Sequence, residues 1–297
     1  MYYNENTIVY FNGEFIKAKD ANGSLYGQTL HYGYGVFEGI RSYKTNKGVK
    51  IFKAKEHFDR MEYSCKAIGI PYPYHNEELI NITYEVLKIN DLTDAYIRPL
   101  VTCTPNMQLS KGKATELLIA AWDWGAYLGN TLLHIQTSAF RRPNPAAFIV
   151  DAKVTGHYVN SIMASQKAKD NGYDEALLLD VNGFIAEGPG ANIFIENEDV
   201  LYTPALGSIL PGITRAAVLE ICAGLEIPVV EKQITLDEAH GADSAFFCGT
   251  AAEVIGIASL DKIPFTKKWE DTIGIKIQKV YKGLVIEKTH SKSEILA

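Results

Sequence analysis

Cysteine is scarce. The 297-residue chain has only 4, Cys65, Cys103, Cys222 and Cys248, and no two of them form a CxxC pair. That spacing excludes a zinc ribbon or a small disulfide framework, and each is expected to be a small buried hydrophobe rather than a nucleophile. The 7 histidines form no HExxH pattern or other close pair, which speaks against metal catalysis. No GxGxxG follows a strand and no GxxxxGK[ST] occurs, so the dinucleotide-binding and P-loop readings fail. A basic excess is also lacking. Lys+Arg number 29 against 35 Asp+Glu, a net charge of −6, and a nucleic-acid partner would call for the opposite sign. No apolar run approaches the roughly 18 residues of a membrane span. The opening MYYNENTIVYFNGEF has neither a basic n-region nor an apolar h-region, so the expected location is cytoplasmic.

What is present is ordinary in bulk, with 47% hydrophobic and 22% charged residues, as in globular proteins. The length corresponds to about two domains at roughly 150 residues each. Arginine usage is the exception. Only Arg41, Arg60, Arg98, Arg141, Arg142 and Arg215 occur, so lysine carries the remaining positive charge. Few arginines amid many lysines fit sites that need a fork to carboxylate or phosphate, or simply a lysine-biased genome.

The hydrophobic pattern predicts an α+β chain. Ile8–Phe15 reads as a strand pair about Asn12-Gly13. Lys55–Gly69 and Asn76–Ile89 read as amphipathic helices, and Ala95–Thr102 and Glu116–Ala121 as strands. From Trp122 the aromatic, glycine-rich WDWGAYLGN breaks all periodicity and is expected to connect two domains. Beyond it lie a strand over Leu132–Phe140, an exposed RRPNPA loop, a helix over Val159–Lys169 closed by Asn171-Gly172, and the short strands EALLLD, FIAEG, ANIFIEN and DVLYTP. A helix after Leu210-Pro211-Gly212, a strand SAFFCGT and a last helix over Trp269–Leu284 complete the chain.

Four places could carry chemistry. In LPGITR, Gly212 permits a tight turn, and the N–H groups of Ile213 and Thr214 then open a helix as a ready anion cup. Gly249-Thr250-Ala251 repeats the theme with small residues. Both could equally be capped turns without a ligand. Glu187, among apolar neighbours and before Gly188-Pro189-Gly190, could hold a protonated ring nitrogen or be a surface acid. Lys153 lies in an apolar alternation, and a half-buried lysine amine can form a Schiff base.

Together, these residues and the strings LHYGYGVFEGIRSY, AYIRPL, WDWGAYLG, DAKVTGHYVNS, GYDEALLLDVNGFIAEGPGANIF, LPGITR and GTAAEV resemble the branched-chain amino-acid aminotransferases, in the fold-type IV (class IV) pyridoxal-phosphate enzymes. The resemblance spans nearly the whole chain. It implies a small N-terminal α/β domain over 1–123, an interdomain loop and the start of the second domain over 124–137, and a large, barrel-like, cofactor-binding domain with helices over 138–297. It implies pyridoxal 5'-phosphate joined covalently to Lys153, which also moves the reacting proton. Glu187 would pair with the pyridine nitrogen, making the ring an electron sink, and Tyr158 would bond the phenolic oxygen. Arg60, Ile213, Thr214 and Thr250 would hold the phosphate, with Leu210, Gly212 and Gly249 beside the cofactor. Tyr96, Arg98, Thr250 and Ala251 would meet the substrate carboxylate. Phe37, Gly39 and Trp124 would wall the side-chain pocket, and Tyr32 would reach across from a second subunit of a homodimer or larger homo-oligomer.

The implied reaction is ping-pong transamination of L-leucine, L-isoleucine and L-valine with 2-oxoglutarate. A D-amino-acid or (R)-amine transaminase and an aminodeoxychorismate-lyase-like enzyme are the rivals, and the EGIR and YIRP strings favour the first reading. A non-catalytic phosphate binder is disfavoured by Lys153 and Glu187. There are departures: Thr155-Gly156-His157 replaces the family's Gly-Gly-Asn, Val254-Ile255-Gly256 replaces Thr-Pro-Val, and TPNMQLSKGK lacks a glycine-rich stretch. His157 is expected to pack rather than catalyse.

Overall fold

The computed structural model describes residues 2–125, 128–129 and 131–288. The chain divides into two compact units, Met1–Gly125 with Ala152–His157, and Ala126–Asp151 with Tyr158–Ala297. The short segment 152–157 thus belongs with the first unit despite its distance along the chain.

The first unit is built on one antiparallel sheet. β1 (Ile8–Phe11) and β2 (Glu14–Lys17) form a hairpin whose turn residues Asn12 and Gly13 both have positive φ, the conformation an Asn-Gly hairpin turn requires. Then follow α1 (Gln28–Tyr32), β3 (Val36–Phe37), β4 (Ile40–Thr45), β5 (Gly48–Ile51), α2 (Ala54–Ile68), α3 (Asn76–Ile89), β6 (Ala95–Cys103) and β7 (Thr115–Asp123). The strand order is β2-β1-β7-β6-β4-β5, with β3 also on β6. Phe58, Met61 and Cys65 of α2 and Leu79, Val86 and Leu87 of α3 fill the core with Ile97, Val101, Leu117 and Ile119 of the sheet. β7 continues through Trp122 and Asp123, pairing them with Tyr96 and Ala95. The expected domain connection therefore starts later than Trp122, because a bulky aromatic opposite another aromatic extends a ladder rather than ending it.

The second unit contains β8 (Leu133–Arg141), α4 (Tyr158–Asp170), β9 (Glu175–Leu179), β10 (Ile185–Glu187), β11 (Asn192–Asn197), β12 (Val200–Pro204), α5 (Ile213–Leu225), β13 (Val229–Lys232), α6 (Leu236–His240), β14 (Ser244–Gly249), β15 (Glu253–Leu260), β16 (Ile263–Pro264) and α7 (Ile273–Val285). The ladder β10-β9-β8-β15-β14-β11 closes on itself where Glu187 of β10 pairs with Asn192 of β11. Closure removes free sheet edges, and Leu133, Ile135, Leu177, Ile193, Phe247 and Ile257 pack its interior. The expected last helix is divided. Trp269–Asp271 is a 3-10 turn, and α7 begins only after Thr272, whose hydroxyl accepts from the Ile275 N–H, an N-cap. No described helix is long and apolar enough to cross a membrane. The described residues hold no group of three or more His, Cys, Asp or Glu that could bind a metal ion. All four cysteines are free and buried, and burial pushes the Cys65 and Cys222 thiols up to about 12.

Candidate active site

In the first unit, Lys153 sits on a segment stitched down on both sides. Its N–H donates to Ser64 Oγ (2.9 Å) of α2, and its carbonyl accepts from the Phe37 N–H (3.3 Å). The Thr155 hydroxyl donates to the Gly33 carbonyl (2.6 Å), while the Thr155 and Gly156 N–H groups bond the carbonyls of Gly35 and Gly33 (2.9 and 3.0 Å). The backbones touch here. A Cβ on Gly33 would lie 2.5 Å from Gly156 Cα, and Gly33 has φ +64°, so Gly33 demands glycine, while a Cβ on Gly156 would sit tightly at 3.1 Å from the Gly33 carbonyl. The departure at Thr155-Gly156 therefore fastens the segment. His157 is buried, as expected of a packing residue.

Two clusters share this unit. Glu38, fully buried, receives Arg60 Nε (2.7 Å) and Nη2 (2.9 Å) as a fork and His57 Nδ1 at 2.7 Å. Burial alone would raise the Glu38 carboxyl, but Arg60 and His57 outweigh it and hold the group far below the usual carboxylate range. The His57 imidazole is pushed down, chiefly by burial and further by Arg60 and Lys153, with Glu38 opposing. The ring is then neutral and its Nδ1–H donates to Glu38. Arg60 is thus oriented by a carboxylate that reading along the chain passed over.

The second cluster is aromatic. Tyr96 and Arg98, two residues apart on β6, share a face. The Arg98 guanidinium lies 4.6 Å from the Phe37 ring centre and donates from Nη2 to Tyr96 Oη (3.1 Å). Tyr96 stacks edge-on to Trp124 (4.6 Å, 90°). Gly39 lies beneath it, where a Cβ would come 2.0 Å from Tyr96 Oη. Arg98 Nε is buried and makes no hydrogen bond. An orphaned buried N–H is costly, and a carboxylate would relieve that cost. The Lys153 Nζ stands 5.1 Å from the same Phe37 ring. Tyr32, at the end of α1, is exposed and donates to the Met107 carbonyl (3.2 Å).

The second unit holds the other predicted residues. Glu187 ends β10, buried rather than on the surface. Asn192 Nδ2 donates to its Oε2 (3.0 Å), and the Leu210 N–H lies 3.2 and 3.3 Å from its two oxygens. Arg142 Nε lies 2.8 Å from Oε1, a charge contact not aligned as a hydrogen bond. The RRPNPA loop is exposed as expected over residues 144–149, but Arg142 is buried, a correction forced by this pairing. Asn192 also donates to the Leu210 carbonyl (3.0 Å) and lies where a Gly212 Cβ would stand, 1.9 Å from its Oδ1. Only glycine fits there. Gly212 is the N-cap of α5 with no side-chain cap and no acid in the first turn, so Ile213 and the buried Thr214 open a helix receptive to anions. Gly249, Thr250 and Ala251 form the turn from β14 toward β15, and a Gly249 Cβ would press within 3.0 Å of the Gly190 carbonyl. Tyr158 begins α4. Within the second unit, the donor-ringed Glu187 carboxylate and the uncapped start of α5 fit the ring nitrogen and the phosphate of a phosphorylated pyridine. The first unit, taken by itself, offers the Lys153 amine, which fits an aldehyde.

Glu38, His57, Arg142 and Asn192 escaped sequence reading as site residues. The arginine scarcity was the available signal for Arg142.

Residues 35–260 match the family model described as Amino-transferase class IV. The chain belongs to the class IV aminotransferases. A branched-chain-amino-acid aminotransferase of Pseudomonas aeruginosa is 40% identical to this aminotransferase over 293 residues, covering 97% of this chain and 95% of its own. The structure of a branched-chain aminotransferase from Thermoproteus uzoniensis with norvaline matches with a TM-score of 0.91 at 37% identity, covering 95% of this chain and 96% of its own. That of a T.th. branched-chain amino acid aminotransferase complexed with N-(5'-phosphopyridoxyl)-L-glutamate matches at 0.89 and 35%, covering 97% and 96%. The two-unit architecture of this aminotransferase, with its closed barrel, is that of the fold-type IV enzymes.

Proposed function

We propose that this aminotransferase uses pyridoxal 5'-phosphate to exchange the amino group between L-leucine, L-isoleucine or L-valine and 2-oxoglutarate, in two half-reactions at one site (ping-pong). The observation that carries the substrate reading is Arg98, a half-buried cation whose buried Nε–H is orphaned, set among Phe37, Tyr96 and Trp124 in the unit that holds Lys153. A cation for the α-carboxylate beside aromatic walls suits an amino acid with an aliphatic side chain. The relative's name, the norvaline complex and the phosphopyridoxyl-glutamate complex support the same donor and acceptor.

When bound, the cofactor supplies a conjugated ring that accepts the electrons left at the substrate Cα. The residues of the chain do the rest. Lys153 Nζ would hold the cofactor covalently and, once displaced from it by the substrate amine, would be the free base that takes the Cα proton. Glu187 keeps the ring nitrogen protonated, and Tyr158 bonds the phenolic oxygen. Arg60, Ile213, Thr214 and Thr250 bind the phosphate, with Leu210, Gly212 and Gly249 shaping the backbone around it. Arg98, with Tyr96 and the Thr250-Ala251 turn, orients the carboxylate, which aligns the Cα–H bond for removal. Phe37, Gly39, Tyr96 and Trp124 exclude water. Tyr32 and the exposed residues around it form the contact of a homodimer.

The test is an amino-donor panel read by absorption. L-leucine should bleach the yellow protein to its pyridoxamine form and 2-oxoglutarate should restore it, while borohydride should fix the cofactor on Lys153. Conversion by D-alanine but not L-leucine, pyruvate release from aminodeoxychorismate, or labelling at another lysine would each overturn the reading.

A further inference from the structure

Arg142 has no part in the roles above, yet the fold goes to some length to bury it. It follows the last residue of β8. Its N–H donates to the Leu179 carbonyl (2.8 Å) of β9, and β9 in turn pairs its Leu178 with Glu187 of β10. The ladder therefore carries Arg142 to the end of the barrel where Glu187 lies. Its neighbour Arg141 is exposed, while the side chains of Arg142 and Glu187 are each only 7% exposed.

A buried Arg–Glu pair is poor evidence of stability. Desolvating two charges offsets much of their attraction, and an apolar pair of the same volume is often as stable. Its consequence for basicity is clearer. Arg142, the Asn192 amide and the Leu210 N–H all present hydrogens or positive charge to Glu187. Donors of this kind favour the charged form and make the carboxylate a weak base. Opposite a ring nitrogen, a weak base leaves the shared proton on the ring. A buried carboxylate deprived of its cation becomes a stronger base and competes for that proton.

We propose that Arg142 is a positioning residue that keeps Glu187 anionic and weakly basic, so that the proton between Glu187 and the cofactor ring nitrogen stays on the nitrogen. The inference rests on the assignment of Glu187 to that nitrogen. The contact acts through charge rather than through a fork, and lysine keeps the charge, so Arg142→Lys should preserve much of the effect and Arg142→Met should abolish it.

The experiment compares wild type, Arg142→Lys, Arg142→Met, Glu187→Gln and the double variant Arg142→Met/Glu187→Gln. Each is loaded with ring-15N pyridoxal 5'-phosphate or with its 1-deaza analogue, which has carbon in place of the ring nitrogen. The readouts are the 15N shift and the retention of each compound. Wild type should show a protonated ring and retain the phosphate aldehyde better than the analogue. Arg142→Met should move the 15N shift toward neutral pyridine and weaken retention of the natural cofactor by about tenfold, while changing that of the analogue by no more than about threefold. The double variant should resemble Glu187→Gln alone, and this holds the test open if Arg142→Met folds poorly. Equal loss of both compounds in Arg142→Met would mean that Arg142 only supports the fold, and an unmoved 15N shift would equally overturn the proposal. A wild type that neither protonates the ring nor distinguishes the two compounds would overturn the Glu187 assignment itself.

Discussion

At the scale of single residues, the buried imidazole of His57 makes a measurable claim. Its folded pKa is depressed, first by burial, so on acidification the unfolded chain takes up a proton that the folded chain refuses. Stability then falls as pH drops below the ordinary histidine value of roughly 6.5, by up to about 1.4 kcal/mol per pH unit for one proton. Glu38 has the opposite assignment. Its folded pKa is lowered, so its contribution is present above the free carboxyl value of roughly 4.3 and is lost only at lower pH. The interval from about pH 6.5 to 5 therefore isolates histidine behaviour. Replacing His57 by Gln preserves a donor for Glu38 but cannot titrate. Denaturant midpoints of wild type and variant at pH 7.5 and 5.5 should converge as the pH falls, and parallel pH dependence of the two proteins would refute the argument.

At the scale of elements, the segment over 152–157 and the glycines between α1 and β3, Gly33 and Gly35, form one fastening. Thr155→Val keeps the shape but deletes the 2.6 Å hydroxyl bond to the Gly33 carbonyl. The loss should cost about 1 kcal/mol, and turnover should drop several-fold as Lys153 loses register. Melting and steady-state kinetics check both, and an unchanged kcat would detach the fastening from catalysis. The same elements show what was legible beforehand. α3 could be read because Asn76, Glu77 and Glu78 open it and Leu79, Val86 and Leu87 recur on one face. Lys153 and Glu187 stood out through their local company. β4 could not be read, since Ile40, Arg41, Ser42 and Tyr43 are all buried and show no alternation. Nor could the pairing of β8 with β15, which joins residues more than a hundred positions apart. Arg142 and Glu38 owe their roles to partners that only tertiary folding supplies: Arg142 sits in the polar string Arg141-Arg142-Pro143-Asn144, with no local sign of burial, and Glu38, though its neighbours are apolar, meets its cations only through α2.

At the scale of the whole molecule, the first unit shows apolar surface that a lone chain has little reason to keep. Leu25, Tyr26, Leu30, Tyr32, Met107 and Leu109 are all exposed, Leu109 by 91%. They belong to two segments held as one surface. The Asn106 N–H bonds the Tyr26 carbonyl (3.2 Å), and Gln28 Nε2 donates to the carbonyls of Gln108 and Ser110 (2.9 and 2.8 Å). Contiguous exposed apolar groups on an ordered surface mark an interaction site, and closed symmetric pairs are the commonest assembly of soluble chains. If this surface meets a second copy, the double variant Leu30→Asp/Leu109→Asp places charge where two chains would bury it, and burying unpaired charge is prohibitive. Sedimentation should then show wild type at twice the 32.9 kDa chain mass or a higher multiple, and the variant shifted toward the single chain with its far-ultraviolet dichroism intact. Equal masses for the two proteins would remove Leu30 and Leu109 from the subunit contact.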